Sequence, residues 1–392
     1  MWNLFRVFNL LMYFLTSFVW WSFSLPMNAT VAALDVLMLF CLHYNPKKYV
    51  IYRKIPIILG VIILLSALSA YTLGLSYGLS NFFVYLPILM LYALKPEWKA
   101  DLLAFITKWF SIIIEISLFV FLLAHIGILH PIGQFIASDL PYPPYDNYVF
   151  FIKTRMYDSV VYRFNGPFLE PGHLSMIASI LLFANKYKFK ENKKLWILLL
   201  AIVLSFSLAG YVITFIGFLM IKLKNIQNLI ILSIVSIASE YVVTDLWNEG
   251  DNPVNILIFD RLQYDEENGI SGNNRTIEET DRLFSSSYKY GNLWFGLGKN
   301  GINNSSIRGA GFKIYLLRYG IVSTLLVFYL YWLLMPRRCD RRYAYSFLVL
   351  IAFIFMQRAY PSWYTWLLPY ILGIGETHKN TSRKRYVIIK TN

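Results

Sequence analysis

The chain has 392 residues, of which 57% are hydrophobic, 18% aromatic and only 15% charged, with a mean hydropathy of +0.51. That balance excludes an ordinary water-soluble domain and a disordered chain, because too few polar residues are available to cover a surface. The formal net charge of +14 would suit nucleic acid, but the lysines and arginines fall in separate clusters between apolar runs, which speaks for a polytopic membrane protein and against a nucleic-acid partner.

A hydrocarbon layer of ~30 Å takes about 20 apolar residues in a helix, since lipid offers no hydrogen-bond partner to open backbone. Twelve windows answer to that description, at 7–25, 28–44, 55–74, 79–94, 105–129, 171–187, 195–209, 211–222, 226–243, 312–335, 343–358 and 361–376. The expected fold class is therefore all-α: a polytopic integral membrane protein with about twelve transmembrane helices. One membrane domain is expected over 1–392, with large outer loops at 130–171 and 244–311. The first segment, MWNLFRVFNLLMYFLTSFVWW, lacks a clear small-residue cleavage site and is expected to be retained.

Four basic clusters set the orientation: Lys47, Lys48, Arg53 and Lys54; Lys186 to Lys194; Arg337, Arg338, Arg341 and Arg342; and Lys379 to Lys390. With twelve spans all four lie on one side, so the positive-inside rule places both termini in the cytoplasm, with the two large loops outside. The stretch from Leu195 to Lys222 has lysines before and after it, so the chain must return to its starting side. It is expected to be two short helices hinged near Ala209-Gly210. Cys41 and Cys339 both map to the cytoplasmic side, where no disulfide is expected.

Any chemistry is expected in the outer loops. The first is rich in proline and tyrosine, which suits an ordered interfacial cap. It closes with Arg163-Phe-Asn165-Gly166-Pro167, a turn, and Glu170-Pro171-Gly172-His173, a helix entry whose amides and dipole face the membrane boundary. The second loop mixes Arg261, Arg275, Arg282, Lys289, Lys299 and Arg308 with acidic residues, and its glycines at 296, 298, 301, 309 and 311 would let backbone amides approach an oxyanion. Arg318 lies about two turns inside the tenth apolar window and must face a cavity or a partner. Arg358 closes the eleventh. Guanidinium forks match phosphate oxygens bidentately, so a lipid diphosphate is the expected ligand.

Plainer roles compete for these residues. Arginines at a boundary often snorkel. Glu170 could cap its helix and bind Arg163; Arg282, Lys289 and Lys299 could pair with Glu278, Glu279 and Asp281; and Asp35, Glu115 and Glu240 could answer Arg318, Lys313 or Arg358. His43, His125, His130 and His378 are scattered and suggest no constellation. No metal or cofactor is expected, because no DxD or HxxH spacing occurs in the outer loops.

The order RFNGPFLEPGHLSMIASILLF, LSFSLAGYVITFIGFLM, NNRTIEETDRLFSSSYKYGNLWFGLGKNG and GFKIYLLRYGIVSTLLVFYLYWLL resembles the O-antigen polymerase (Wzy) and O-antigen ligase superfamily over about Arg163 to Met335. The resemblance rests on an R-x-x-G-x-x-x-E-P-like segment before a span, a serine-bearing short helical pair, an arginine opening the large loop, a G-x-G near its end and a small-residue turn at Tyr319-Gly320-Ile321. It implies a glycosyltransferase that moves a glycan from undecaprenyl diphosphate onto the non-reducing sugar of another lipid-linked repeat unit. Implied partners are that lipid-linked oligosaccharide, membrane lipid and a chain-length regulator protein. In that scheme Arg163, Glu170 and Arg275 are catalytic, and Asn165, His173, Arg282, Lys299, Arg308, Arg318 and Arg358 bind substrate. An O-antigen ligase transferring glycan to lipid A core is the near alternative, but its histidine ahead of the next span has no counterpart in the large loop, where Arg308-Gly309-Ala310-Gly311 stands. A lipid-linked sugar flippase is the more distant one.

Overall fold

The structure is a computed structural model that describes residues 1–15, 27–135, 144–154, 162–222, 240–252, 254–259, 264–265, 269–270, 278–303, 311–358 and 360–375. The chain is mostly helical, and among the described residues four helices are long and apolar enough to cross a membrane: Ile55–Leu73, Leu75–Ala93, Pro96–His125 and Phe312–Leu334. Each apolar window read from the sequence that falls in the described residues carries a helix; the window at 226–243 lies largely outside them. By internal contacts the chain divides into two compact units. One comprises Met1–Thr16, Ser24–Ile106 and Arg275–Asn392; the other comprises Ser17–Phe23 and Thr107–Asn274.

In the first unit, α2 (Met27–His43), α3 (Ile55–Leu73) and α4 (Leu75–Ala93) are apolar on nearly every side, whereas α1 (Trp2–Leu15) carries Asn3, Arg6 and Asn9 and the start of α5 (Pro96–His125) carries Glu97, Lys99 and Asp101. On α3, Ile62 is fully buried whereas Ile63 is 52% exposed, so the outward face is as greasy as the inward one. Water does not favour such a surface, and lipid does. The hydroxyls of Ser66, Ser69 and Thr72 bond back to the carbonyls of Ile62, Leu65 and Leu68, which satisfies them inside the helix. The α3–α4 hairpin turns at Gly74 (φ 105°), and Gly78 then lets the helices meet. A Cβ there would stand 2.5 Å from that of Ala70.

One end of this unit is a polar clasp. Asp101 of α5 receives the Trp2 indole N–H at 2.8 Å and an ion pair from Arg6 at 3.2 Å, and the Lys48 ammonium sits 3.0 Å from the Trp98 ring centroid.

The second unit is built around α6 (Pro171–Ala184), whose residues are buried almost without exception. A short helix dominated by apolar residues belongs in such a core. It packs against α7 (Leu195–Leu204) and α8 (Leu208–Lys222). The hinge expected at Ala209-Gly210 lies instead at 205–207, where Phe206 takes φ 44°. Gly210 instead admits a neighbour, since a Cβ on it would fall 2.3 Å from the Ser175 Cβ, and its absence allows α8 to lie directly on α6. Ser179 bridges the same contact through Thr214 Oγ1 at 2.6 Å.

The segment expected to form an interfacial cap contains a small antiparallel sheet, which departs from a purely helical reading. Strands β1 (Gly133–Phe135), β2 (Tyr145–Asn147) and β3 (Ile152–Thr154) pair in that order, with Phe135 opposite Tyr145 and Tyr145 opposite Thr154. Outside the apolar windows the backbone must find partners other than its own helix turn, and the ladder supplies them. The 244–311 segment contains the two-residue strands β4 (Tyr264–Asp265) and β5 (Gly269–Ile270), and helices α9 (Glu278–Lys289) and α10 (Gly298–Asn303). Helices α11 (Phe312–Leu334), α12 (Arg341–Gln357) and α13 (Tyr364–Gly373) complete the first unit.

Candidate functional site

Two clusters of the predicted residues are placed, one in each unit. In the second unit the segment from Tyr162 to Glu170 is clamped from both sides. Phe164 N–H donates to Leu204 O at 2.9 Å, Arg163 Nε donates to Ser205 O at 3.0 Å, and Ile152 N–H donates to Gly166 O at 3.1 Å. Arg163 thus satisfies a carbonyl freed by the break between α7 and α8, an anchoring use of its guanidinium. Asn165 is buried, and its Nδ2 donates to Phe168 O, which closes the turn before α6. Glu170 is the N-cap of α6 with extended backbone, but its side chain does not bond the first helical amides. Its carbonyl accepts from His173 N–H at 3.1 Å, and His173 is buried in the first turn.

Arg163, Asn165 and Pro171 share a small cavity with Phe121 and His125 from the end of α5 and with Phe151, Lys153 and Tyr162. His125, which the sequence left without a constellation, places its ring 4.3 Å from that of Tyr162, and its Nδ1 lies 2.8 Å from Phe121 O. The Lys153 ammonium sits 4.2 Å from the Tyr162 ring centroid. The cavity measures about 20 Å³, room for a water molecule. No spacing in the sequence links His125 or Lys153 to Arg163; the sheet and the α5 terminus bring them there.

In the first unit the site forms around a break in α11. Gly320 takes φ 80° and ψ 171°, so the helix ends at Tyr319 and restarts. The chain from Leu293 to Leu297 lies along this break. Leu297 N–H donates to Leu317 O at 2.8 Å, and Ile321 and Val322 N–H donate to Leu293 and Trp294 O at 2.9 and 3.1 Å. A Cβ on Gly320 would fall 2.5 Å from Trp294 O, and one on Gly296 2.7 Å from Arg318 O. These glycines therefore serve the approach of two backbones, the loop and the helix.

Arg318 immediately precedes the break. Its Nη1 donates to the Tyr360 hydroxyl at 3.3 Å, whereas its Nε is buried with no partner among the described residues. Tyr360 stacks on Trp363 with centroids 4.9 Å apart and planes 5° apart. Two residues before Tyr360, Arg358 is buried at the C-cap of α12, its N–H donating to Ile354 O at 2.8 Å. The sequence carries one pointer to the partner of Arg318, the aromatic run from Tyr360 to Trp366. Lys313, a turn earlier, is matched to Asp281 of α9 at 2.7 Å.

Other predicted residues are not drawn in. Arg282 is exposed and pairs with Glu278 one turn away at 2.5 Å, the solvated alternative. Lys299 is exposed on α10. Arg275 and Arg308 lie outside the described residues. Glu115 meets Lys194 at 3.4 Å. Among the described residues, no cluster of His, Cys, Asp and Glu has the form of a metal site.

Compared with protein-family models, with curated proteins and with solved structures, the chain matches none. The site is therefore interpreted from its own chemistry. A guanidinium whose buried Nε has no partner among the described residues, beside an interrupted apolar helix, is suited to an anion.

Proposed function

We propose that this protein is a membrane glycosyltransferase that polymerises lipid-linked repeat units, transferring the growing glycan from undecaprenyl diphosphate to the non-reducing sugar of another unit. The proposal includes about twelve spans, both termini in the cytoplasm and the large loops outside. Arg318 carries it. A guanidinium inside an apolar helix is costly without a counter-group, and this one meets a neutral phenol and leaves Nε without a partner among the described residues. A diphosphate supplies both the charge and the acceptors.

In the reaction, an acceptor hydroxyl oxygen forms a bond to the anomeric carbon of the donor as the bond from that carbon to the phosphate oxygen breaks. The electron pair leaves on undecaprenyl diphosphate. Arg318, with donors fixed before the reaction, stabilises that developing charge. The hydroxyl proton passes to a base.

Membrane vesicles containing the protein and lipid-linked repeat units test this through the ladder of product lengths. Arg318→Ala is expected to slow chain growth by about 10²–10³-fold, the usual effect of removing one fixed donor. A wild-type ladder from Arg318→Ala present at wild-type amount overturns the proposal. Arg163→Ala, Arg275→Ala and Glu170→Gln are expected to shorten the ladder, and normal lengths from all three would remove them from the catalytic set.

A further inference from the structure

Asp35 lies at the middle of α2 (Met27–His43), about 12 Å from either end at 1.5 Å per residue. It is fully buried, and neither carboxylate oxygen has a hydrogen-bond partner among the described residues. Asn9 of α1 and Tyr364 of α13 form a fully buried pair in the same unit. The Tyr364 hydroxyl donates to Asn9 Oδ1, Asn9 Nδ2 donates to Phe5 O at 2.7 Å, and Asp35 acts electrostatically on that hydroxyl. Thr365, the next residue, is fully buried with its Oγ1 also unpartnered.

An ionised carboxylate cannot persist in such surroundings without a counter-charge or donors, so it must be neutralised. The charged and titratable groups on the neighbouring elements do not supply a cation. On α1, Arg6 is paired with Asp101 and Tyr13 is buried; on α4 and α13 the groups are tyrosines, with Tyr85 bonded to Ser362 and Tyr315; in the turn after α2, Lys48 lies over Trp98 and Lys47 is exposed. Cys41 and His43 are nearer the end of α2 itself. A sodium or potassium ion would need a shell of several oxygens, and here the Asn9 amide and the Tyr364 hydroxyl already bond each other. A proton needs no shell.

We propose that Asp35 is an intramembrane proton-binding site, held as the neutral acid where α2 meets the Asn9–Tyr364 pair. The site is independent of the diphosphate chemistry.

Dicyclohexylcarbodiimide, which reacts with protonated carboxyls in apolar surroundings, tests this on the full-length protein in lipid vesicles, with the modified peptide located by mass. The adduct is expected on Asp35 at about pH 6.5 and to fall at least roughly tenfold by about pH 10. Exchange of choline chloride for NaCl or KCl is expected to leave it unchanged. No adduct on Asp35 at any pH overturns the proposal, and protection by NaCl or KCl replaces the proton with a metal cation. The neutral isostere Asp35→Asn is expected to melt within a few degrees of wild type; a fall of more than about 10 °C shows an ionised, paired carboxylate and also overturns it.

Discussion

Gly320 and Gly296 show how single residues decide whether α11 can break beside Arg318. Both adopt positive φ, and at each a Cβ would meet backbone atoms that cannot swing aside. Gly320→Ala is therefore expected to destabilise the protein by at least about 1–3 kcal/mol, the range for a non-glycine residue forced into this region. Gly127 is the control, since it has φ 78° but open space where a Cβ would go. Gly127→Ala is expected to cost only about 1 kcal/mol, from backbone conformation alone. Thermal unfolding of the purified variants in detergent checks the order. Equal losses at Gly320 and Gly127 would mean that the contact between loop and helix contributes nothing. Arg318 was identifiable in the sequence because an arginine within an apolar run requires a reason. The aromatic run from Tyr360 to Trp366 was visible as well, but its pairing with Arg318 was not, since 42 residues separate Tyr360 from the guanidinium and only the folded chain brings them together.

Between helices, the contact of α6 with α8 is set by a glycine and a serine. Gly210→Ala would drive its methyl into Ser175, whose Cβ and Oγ stand 2.3 and 2.4 Å from the new carbon, and overpacking of this kind typically costs about 1–3 kcal/mol. Adding Ser175→Gly removes both clashing atoms. The double variant is expected to recover much of the loss, and a double-mutant cycle on melting temperature measures the coupling. Purely additive losses would show that the two residues do not meet. The far end of α11 is closed by Lys54, whose Nζ donates to Leu333 O at 2.9 Å and Met335 O at 3.0 Å. Burial, reinforced by Arg337, holds this ammonium below the ordinary lysine pKa, while the helix-end carbonyls stabilise its charge. Lys54→Met keeps the stem and is expected to cost about 1.5–3 kcal/mol, the range for hydrogen bonds to a charged group, as a lower melting temperature. The helical pair at 195–222 was legible from its flanking lysines, but the exact break was not. A glycine in a helical sequence looks the same whether it bends the chain or admits a neighbour.

Over the whole molecule, the clustering of lysines and arginines between apolar runs argues for cytoplasmic termini and outer loops at 130–171 and 244–311. A fluorescent protein fused after Asn392 is expected to fluoresce, and alkaline phosphatase inserted within 244–311 is expected to be active; the reverse pattern would overturn the orientation. The apolar windows were legible because bilayer thickness imposes one length on any helix that crosses it, whatever its neighbours. The small sheet within 133–154 was not, since strands of three residues owe their existence to partners beyond their own segment. A helical protein suited to a membrane, and the place of most of its helices, could be read from the amino acids alone, because lipid demands apolar length and local backbone satisfaction. The fold was needed to see that α11 breaks around an inserted loop, that Arg163 anchors a carbonyl between two helices, and that Asp35 is buried with no donor among the described residues. Those are contacts between residues distant in the chain, and no local pattern encodes them.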